Sequence, residues 1–266
     1  MNIVVTGGTG FVGRALCASL SDSGHHIVIL TRNAGAVLRV LGTNMTAVEW
    51  NGRDRGTWEE SLEGADAVIN LAGEPIAAGR WTKERKQFIV ESRVNATQLL
   101  ARAIPPASSR PRVFISASGV GYYGTSPDGR FDERDGPGSD FFADLCRSWE
   151  GAALAAQSHN TRVICLRIGM VLDREGGALA KMVPPFRAFV GGPIAPGSQW
   201  VSWIHQADLT GLIEWVLAHE RIAGPVNAVA PGTVTMKEFC KLLGAALKRP
   251  SWLPVINHVY NITVTM

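Results

Sequence analysis

The chain has 266 residues, of which 46% are hydrophobic and 18% are charged, and its formal net charge at pH 7 is +3. This length allows one large domain or two small ones, with ample apolar surface for a core. The small net charge gives no reason to expect a nucleic-acid partner, and no apolar stretch is long enough and free enough of charge to span a bilayer.

The chain opens with MNIVVTGGTGFVG, an apolar run followed at once by four glycines. The run at residues 3–5 predicts a buried strand, and the apolar residues after the glycines predict a helix that begins near Thr9. Gly7 permits a tight turn, Gly10 lets the backbone approach a ligand, and Gly13 lets helix and strand pack closely. This context predicts a site for a dinucleotide diphosphate, with a plain glycine-rich turn as the alternative.

Strands and helices then alternate along the chain. The predicted strands are residues 26–31, 46–50, 67–71, 112–116 and 162–168, and the predicted helices are residues 82–103 and 139–157. This alternation predicts an α/β fold, a Rossmann-type doubly wound parallel sheet with helices on both faces. Ligands of such sheets lie at the carboxyl ends of the strands. We therefore expect one crevice that brings together Gly7, Arg32, Gly73, Ser118 and Gly169.

From about residue 176 the pattern is less regular, and Gly and Pro punctuate residues 191–197. The predicted elements here are strands at residues 201–204 and 225–230 and helices at residues 207–218 and 235–247. We therefore predict a Rossmann domain at residues 1–175 and a smaller C-terminal lobe at residues 176–266.

The residue after the second predicted strand indicates which dinucleotide the crevice prefers. Sites for NAD usually place a carboxylate there to bind the ribose hydroxyls, but this chain has Thr31 and Arg32, and its next carboxylate is Glu49. A guanidinium is suited to a bidentate grip on a 2′-phosphate, which favours NADP(H). The alternative is a solvated surface arginine.

The helix predicted at residues 82–103 carries two polar residues of interest. Arg93 lies where a cation can approach the cofactor phosphates, with an outward-pointing arginine as the alternative. Asn95 shares a face with Phe88 and Leu99, and on such an apolar line it is expected to need a hydrogen-bond partner.

The four cysteines (Cys17, Cys146, Cys165 and Cys240) lie far apart and form no C-x-x-C pair. Three of them lie in apolar periodic segments, which predicts buried thiols in a reducing compartment. No signal or transit segment is visible before the first strand, so we expect a cytoplasmic protein. The six histidines are scattered without ligand spacing, so we expect no metal site.

Several motifs resemble those of the extended short-chain dehydrogenase/reductase superfamily: TGGTGFVG at residues 6–13, NLAG at 70–73 and SASGVGYYG at 116–124. More narrowly, NLAGEP, GRW, ESRVNAT and WIHQAD in this order resemble the atypical "epimerase family protein" group, once described as cell-division inhibitors. The resemblance implies a Rossmann core, NADP(H) binding and cofactor contacts at Thr31, Arg32, Leu71, Ala72, Arg93 and Val171. With the glycine loop, the predicted cofactor-binding residues also include Gly7, Gly10, Phe11, Val12, Gly13 and Gly73.

The resemblance covers about residues 1–254. After that point the family usually continues as helix, whereas this chain continues with VINHVYNITVTM, which implies an incomplete lobe beyond residue 254. Plant and algal relatives include plastid proteins, so the plastid is the alternative location.

The superfamily normally exchanges protons through a tyrosine and a lysine four residues apart, because the lysine lowers the pKa of the phenol. This sequence contains no Tyr-x-x-x-Lys. Aligned on Glu150, the expected pair falls at Phe142 and Cys146, on one helix face with Trp149. An apolar surface is therefore predicted where a proton relay is expected.

Other residues are candidates to replace this pair. Ser118 carries a hydroxyl where the superfamily's catalytic serine or threonine lies, and Tyr122 is the candidate acid, with packing and a backbone hydrogen bond as the alternative. His205 and Asp208 are expected at a strand-to-helix turn, as a titratable pair or as a structural hydrogen bond. Glu74 is expected to face the crevice.

Two functions remain open on this sequence. The first is an NADP(H)-dependent oxidoreductase or epimerase that acts on a small carbonyl or sugar-like substrate through a non-standard acid. The second is an NADP(H)-binding sensor or regulatory protein without turnover, for example in division of the cell or plastid. The missing Tyr-x-x-x-Lys favours the second, and the polar groups expected at the crevice favour the first.

Overall fold

The computed structural model describes residues 1–37, 44–76, 78–105 and 111–253. The divergent segment at residues 254–266 therefore lies outside the described residues. The strands in chain order are β1 (Asn2–Thr6), β2 (His26–Thr31), β3 (Met45–Glu49), β4 (Ala67–Asn70), β5 (Val113–Gly119), β6 (Arg162–Ile168), β7 (Met170–Asp173), β8 (Trp200–Val201), β9 (Trp203–His205), β10 (Gly224–Ala228) and β11 (Val234–Thr235).

The α-helices in chain order are α1 (Phe11–Asp22), α2 (Ala34–Val37), α3 (Lys83–Val90), α4 (Ala96–Arg102), α5 (Phe141–Leu154), α6 (Gly177–Arg187), α7 (Gln206–Ala218) and α8 (Met236–Leu247). None of the described helices is long and apolar enough to cross a membrane. The helix predicted at residues 82–103 is interrupted by a π-helical turn at Glu91–Asn95, which separates α3 from α4. A π turn inserts one extra residue into the helix, and no hydrophobic pattern in the sequence predicts it.

Seven parallel strands form the central sheet in the order β3–β2–β1–β4–β5–β6–β10. The chain runs outward from β1 to β3, then returns to the other side of β1 and continues outward from β4. This order confirms the predicted Rossmann-type fold, and it places the reversal of strand order between β1 and β4.

Strand β1 shows why the sheet is buried on both faces. Its Val4 packs into one apolar cluster with Phe114, whereas Ile3 and Val5 pack into a second cluster with Leu16 on α1. Because successive side chains of a strand point to opposite faces, a continuous apolar run supplies both clusters. Helices α4 and α5 contribute to the first cluster, and α1 and α7 contribute to the second.

The last strand of the sheet comes from the second half of the chain. Strand β10 pairs with β6, and the guanidinium of Arg162 on β6 donates to the carbonyl oxygens of Val216 and Leu217 in the last turn of α7. These bonds satisfy carbonyls that a helix C-terminus leaves without partners. The predicted division into two domains at residue 175 stays a prediction. From the second half of the chain, β10 adds the last strand to the central sheet and α7 packs against one of its faces.

Four elements were not predicted: α2, β7, α6 and β11. Helix α6 was missed because Pro184 and Pro185 lie inside it and proline usually ends a helix. Asn95 is exposed, and the expectation that it needs a partner from the backbone or from ordered water stays a prediction. Its helix face, shared with Phe88, borders a cleft in which water can reach the amide.

All four cysteines are buried and free, which confirms the prediction of buried thiols. Burial raises the pKa of the Cys17 and Cys165 thiols to about 12 and that of Cys146 and Cys240 to about 11.

Helix α1 lies unusually close to the loop before it. A Cβ atom on Gly13 would lie 2.2 Å from the carbonyl oxygen of Gly7 and 2.7 Å from the Cα of Gly8. The atoms it would meet are backbone atoms, which have little freedom to move away. Only glycine therefore fits at this helical position.

We predict that Gly13→Ala lowers the free energy of unfolding by about 3 kcal/mol, because the backbone of the loop must shift to admit the methyl group. The matched control is Gly211→Ala in α7, where an added Cβ meets nothing within 4 Å. That variant is expected to gain up to about 1 kcal/mol, because alanine is the better helix former. Urea unfolding measures both, and equal stability of the two variants would contradict the packing argument.

Candidate functional site

The glycine loop after β1 forms a turn with little room for side chains. Gly7 has φ +69°, and a Cβ there would lie 2.6 Å from the carbonyl oxygen of Leu71 after β4. Gly10 is the N-cap of α1, and among the described residues no side chain caps the N–H groups of the helix's first turn. By contrast, side chains cap α3, α5, α7 and α8. The uncapped N–H groups and the helix dipole give this loop the chemistry of an anion site.

A cleft of about 490 Å³ lies in front of this loop, at the point where the strand order reverses. Its walls come from the ends of β1, β2, β3 and β4 and from the helix face that spans the π turn. The lining residues are Gly7, Thr9, Gly10, Leu30, Thr31, Arg32, Trp50, Asn51, Gly52, Arg53, Leu71, Ala72, Gly73, Glu74, Pro75, Phe88, Glu91, Ser92, Asn95 and Ala96.

The structure brings together the predicted cofactor residues on β1, β2 and β4. Those that line the cleft are Gly7, Gly10, Thr31, Arg32, Leu71, Ala72 and Gly73. Those that do not line it are Phe11, Val12, Gly13, Arg93 and Val171. Val12 and Val171 pack against the apolar cluster beside the sheet, and the ring of Phe11 lies against Gly176 and Gly177.

The mouth of the cleft holds a carboxylate between two guanidinium groups. Glu74 Oε1 lies 3.3 Å from Arg32 Nη1, and Glu74 Oε2 lies 3.7 Å from Arg85 Nη1. The expectation that Glu74 faces the crevice is therefore confirmed. Most of the Arg32 side chain (79%) is exposed, so Arg32 is free to rearrange around an incoming ligand.

Arg93 lies on the π turn and is buried directly behind Gly73. Its Nη2 donates to the carbonyl oxygen of Glu74 at 2.9 Å, and its guanidinium lies 5.2 Å from the centre of the Trp149 ring. Burial lowers the pKa of Arg93 to about 10, because the charged form loses water. Its Nε has no hydrogen-bond partner among the described residues, so a buried cation here retains capacity to bind an anion.

The far wall of the cleft includes residues that the sequence did not single out. Trp50 and Arg53 follow β3, and the guanidinium of Arg53 lies 5.6 Å from the ring centre of Phe88 across the cleft. Their position in the sequence could have indicated them, because the loop after a third parallel strand meets the same crevice as the loops after the first two.

The structure confirms the apolar surface at the positions where the Tyr-Lys pair was expected. Phe142 packs edge-on against Trp81, with ring centres 5.3 Å apart, and Cys146 is buried. The Trp149 indole donates to Thr97 Oγ1 at 2.9 Å. Burial raises the pKa of the Cys146 thiol to about 11, so this thiol stays protonated near neutrality and cannot take the place of the lysine.

A buried polar network occupies the carboxyl ends of β5 and β6. Ser118 Oγ donates to Glu150 Oε1 at 2.8 Å, and Glu150 makes a two-point pair with Arg167, at 3.0 Å to each carboxylate oxygen. Arg167 Nη1 donates to the hydroxyl of Tyr123, which donates to Asn227 Oδ1 on β10. The side chains of Arg167 and Glu150 are only 3% and 10% exposed, so this is a desolvated ion pair.

The network changes the acid–base properties of its members. Burial alone would lower the pKa of Arg167, but the bonds to Glu150 and Tyr123 outweigh it and raise the pKa. Burial also raises the pKa of the Tyr123 phenol, which makes Tyr123 a poorer acid than a tyrosine in water. Tyr123 is thus tuned away from proton transfer near neutrality.

Ser118 lies near the carboxyl end of β5 and Tyr122 lies in the turn that follows, but neither residue lines the cleft. Gly169 does not line it either. The prediction that all these strand ends share one crevice therefore included too many residues. The side chain of Ser118, for example, turns inward to Glu150. The ring of Tyr122 lies 3.5 Å below the guanidinium of Arg167, and its hydroxyl has no hydrogen-bond partner among the described residues.

His205 and Asp208 do not form the expected titratable pair. His205 is the N-cap of α7, and its Nδ1 accepts from the N–H of Ala207 at 3.1 Å, while its Nε2 lies 3.9 Å from Asp173. Asp208 lies in the first turn of the same helix. The structural hydrogen bond is therefore confirmed, although the bond is to the backbone.

The Glu150–Arg167 pair was missed, although the sequence carries a signal for it. Arg167 is the one charged residue inside the apolar run VICLRI, and Glu150 follows the buried Trp149 on α5. Two isolated charges on buried faces must find each other, because an unpaired buried charge is costly.

The sheet order, the glycine loop and the cleft define a Rossmann-type protein with a candidate dinucleotide site. The model of the NAD-dependent epimerase/dehydratase family matches residues 3–228, and the chain belongs to that family. This membership confirms the resemblance drawn from the motifs.

Curated relatives match almost the whole chain. The chloroplastic epimerase family protein SDR39U1 homolog of Arabidopsis thaliana is 44% identical over 96% of this chain and 73% of its own length. Epimerase family protein YfhF of Bacillus subtilis is 40% identical over 96% of this chain and 82% of its own length.

Solved structures share the fold. A crystal structure of human epimerase family protein SDR39U1 (isoform 2) with NADPH is similar, with a TM-score of 0.83 and 36% identity over 97% of this chain and 84% of that chain. A UDP-glucuronic acid 4-epimerase from Bacillus cereus has a TM-score of 0.80 at 18% identity over 96% of this chain and 86% of that chain, a likeness of fold alone.

We predict that Glu150→Leu lowers the free energy of unfolding by about 3–5 kcal/mol, because it leaves the Arg167 guanidinium buried without a counter-charge. Arg167→Met is expected to cost a similar amount by stranding the carboxylate. The double variant Glu150→Leu/Arg167→Met buries no charge and is expected to be more stable than either single variant. Urea unfolding of the four proteins gives the coupling, and additive losses would contradict a coupled buried pair.

Proposed function

We propose that this chain binds NADP(H) in the cleft, with the diphosphate at the glycine loop and the 2′-phosphate at Arg32. The observation that carries this proposal is that an arginine, rather than a carboxylate, ends β2 on the cleft wall. A guanidinium is suited to grip a phosphate through two parallel bonds. The human relative's crystal structure with NADPH supports the choice of cofactor.

The residues that we assign to this cofactor fall into three groups. The uncapped first turn of α1, formed by Phe11, Val12 and Gly13, offers N–H groups to the diphosphate. Thr31, Leu71, Ala72 and Gly73 supply the walls. We assign Arg93 to an anionic part of the cofactor on the strength of its unpartnered Nε, and Val171 on the family resemblance alone.

We predict that Arg32→Ala weakens NADPH binding by about 10- to 100-fold, the range of a lost hydrogen bond to a charged group. NADH has no 2′-phosphate, so its affinity is expected to change little. Titration of the purified chain with each reduced cofactor, followed by nicotinamide fluorescence, measures both dissociation constants.

The matched control for this titration is Arg53→Ala, which removes one positive charge from the opposite wall of the same cleft. Any loss that it causes is expected to fall equally on NADPH and NADH. Equal losses in Arg32→Ala would contradict a 2′-phosphate site at Arg32.

For the role of the bound cofactor, we propose an oxidoreductase or epimerase reaction on a small carbonyl or sugar-like substrate. The cofactor supplies hydride transfer to or from a carbonyl carbon when it is bound. Tyr122 is the residue assigned as acid, because its hydroxyl has no partner among the described residues and its ring lies under the Arg167 cation. Ser118 positions that region through its bond to Glu150.

A second function is favoured by one specific observation. Phe142 and Cys146 fill the positions of the expected Tyr-Lys pair, and the surrounding side chains form an apolar face. A protein that binds NADP(H) without turnover, as a sensor or regulatory partner, requires no proton relay. Under this second proposal the cleft still binds NADP(H), but no reaction takes place there.

Variants at Ser118 and Tyr122 separate these two functions. For an enzyme, Tyr122→Phe is expected to reduce NADPH turnover on an accepted carbonyl substrate by at least about 100-fold, the usual contribution of a positioned acid. Ser118→Ala is expected to reduce it less, and both variants are expected to keep NADPH affinity. Unchanged turnover in Tyr122→Phe would remove its role as acid, and absence of turnover in the wild type across carbonyl and sugar-nucleotide panels would favour the sensor.

The four buried, free thiols support our inference that the chain works in a reducing compartment. The cytoplasm and the plastid both meet this condition, and the relative from Arabidopsis thaliana carries a chloroplastic name.

A further inference from the structure

Glu74 lies at the centre of the charges at the mouth of the cleft. One carboxylate oxygen lies 3.3 Å from the guanidinium of Arg32, and the other lies 3.7 Å from that of Arg85. Arg32 comes from the end of β2 and Arg85 from α3, so the carboxylate links two walls of the cleft.

The main chain of Glu74 is fixed on both sides of its side chain. Its N–H donates to Ser92 Oγ at 3.2 Å, and its carbonyl oxygen accepts from Arg93 Nη2 at 2.9 Å. About a fifth of the side chain is exposed. The backbone that carries the carboxylate is therefore held at the mouth of the cleft, within reach of Arg32.

Three guanidinium groups contact Glu74, two of them through its carboxylate and one through its backbone. Arg32 and Arg85 pair with it, and Arg93 contacts its backbone. The Nε atoms of Arg85 and Arg93 are buried without hydrogen-bond partners among the described residues. The cluster thus has more positive charge and more donors than Glu74 satisfies, and it has capacity for a second anion.

We propose that Glu74 is a specificity-determining residue whose carboxylate competes with the cofactor's 2′-phosphate for Arg32. This inference rests on the proposed function, because it needs NADP(H) in the cleft. Two anions on one exposed arginine repel each other, so the 2′-phosphate displaces part of the Arg32–Glu74 pair as it binds. Glu74 thereby limits the preference for NADPH over NADH that Arg32 creates.

The closing experiment compares Glu74→Gln with Glu91→Gln. Both substitutions remove one negative charge from the cleft lining, but Glu91 pairs with Gln87 and no described arginine lies in its ion-pair range. Glu74→Gln is expected to tighten NADPH binding by about two- to fivefold relative to NADH, the size that an exposed ion pair represents. In Glu91→Gln, any change is expected to fall equally on the two cofactors.

Salt and a conservative variant give two further readouts. The gain in Glu74→Gln is expected to shrink between about 0.1 M and 1 M salt, where the Debye length falls from about 10 Å to about 3 Å. Glu74→Asp keeps the charge and is expected to retain the wild-type ratio of affinities more closely than the glutamine variant. A structural effect of the substitution on the loop would show no such dependence on charge and salt.

The outcomes separate this inference from the proposed function. If the wild type prefers NADPH and Glu74→Gln leaves the ratio unchanged or lowers it, the competition is refuted and the cofactor site stands. If the wild type binds neither cofactor, both proposals fall. The competition is supported if the preference for NADPH over NADH rises in Glu74→Gln but not in Glu91→Gln, and if this rise is lost at high salt.

Discussion

The contact between the glycine loop and helix α1 is the constraint on which the rest of the structure depends. Gly7, Gly13 and the carbonyl of Leu71 lie so close together that β1, α1 and β4 have almost no freedom to slide past one another. This contact fixes the start of α1 in front of the sheet and sets the distance between the loops after β1 and β4. The position of the cleft follows from it, because those loops form two of its walls.

Much of the sheet was predictable because its strands are continuous apolar runs, and His26–Thr31 and Arg162–Ile168 have the predicted bounds. The cleft residues at the ends of β1, β2 and β4 were predictable from strand polarity. The π turn was not, because no pattern in the sequence marks it, and the Glu150–Arg167 pair was missed although two isolated charges on apolar faces indicate it.

The carboxyl ends of the strands form two regions with opposite characters. In front of β1, β2 and β4 the surface is open, and the buried Nε atoms of Arg85 and Arg93 beside it have no hydrogen-bond partner among the described residues. In front of β5 and β6 the polar groups bond to one another, and the neighbouring helix face is apolar. The first part is therefore built to receive an anionic ligand, whereas in the second part most polar groups are already committed and only a few, such as Tyr122, are left for chemistry.

The burial of the cysteines has a consequence for how oxidants act on this protein. A thiol with a pKa of about 11 or 12 is almost wholly protonated near neutrality, and the thiolate is the form that reacts with peroxides and disulfides. The sulfur atoms of the folded chain are thus slow to form sulfenic acids or mixed disulfides. Burial thereby protects the four cysteines of the folded chain from oxidation.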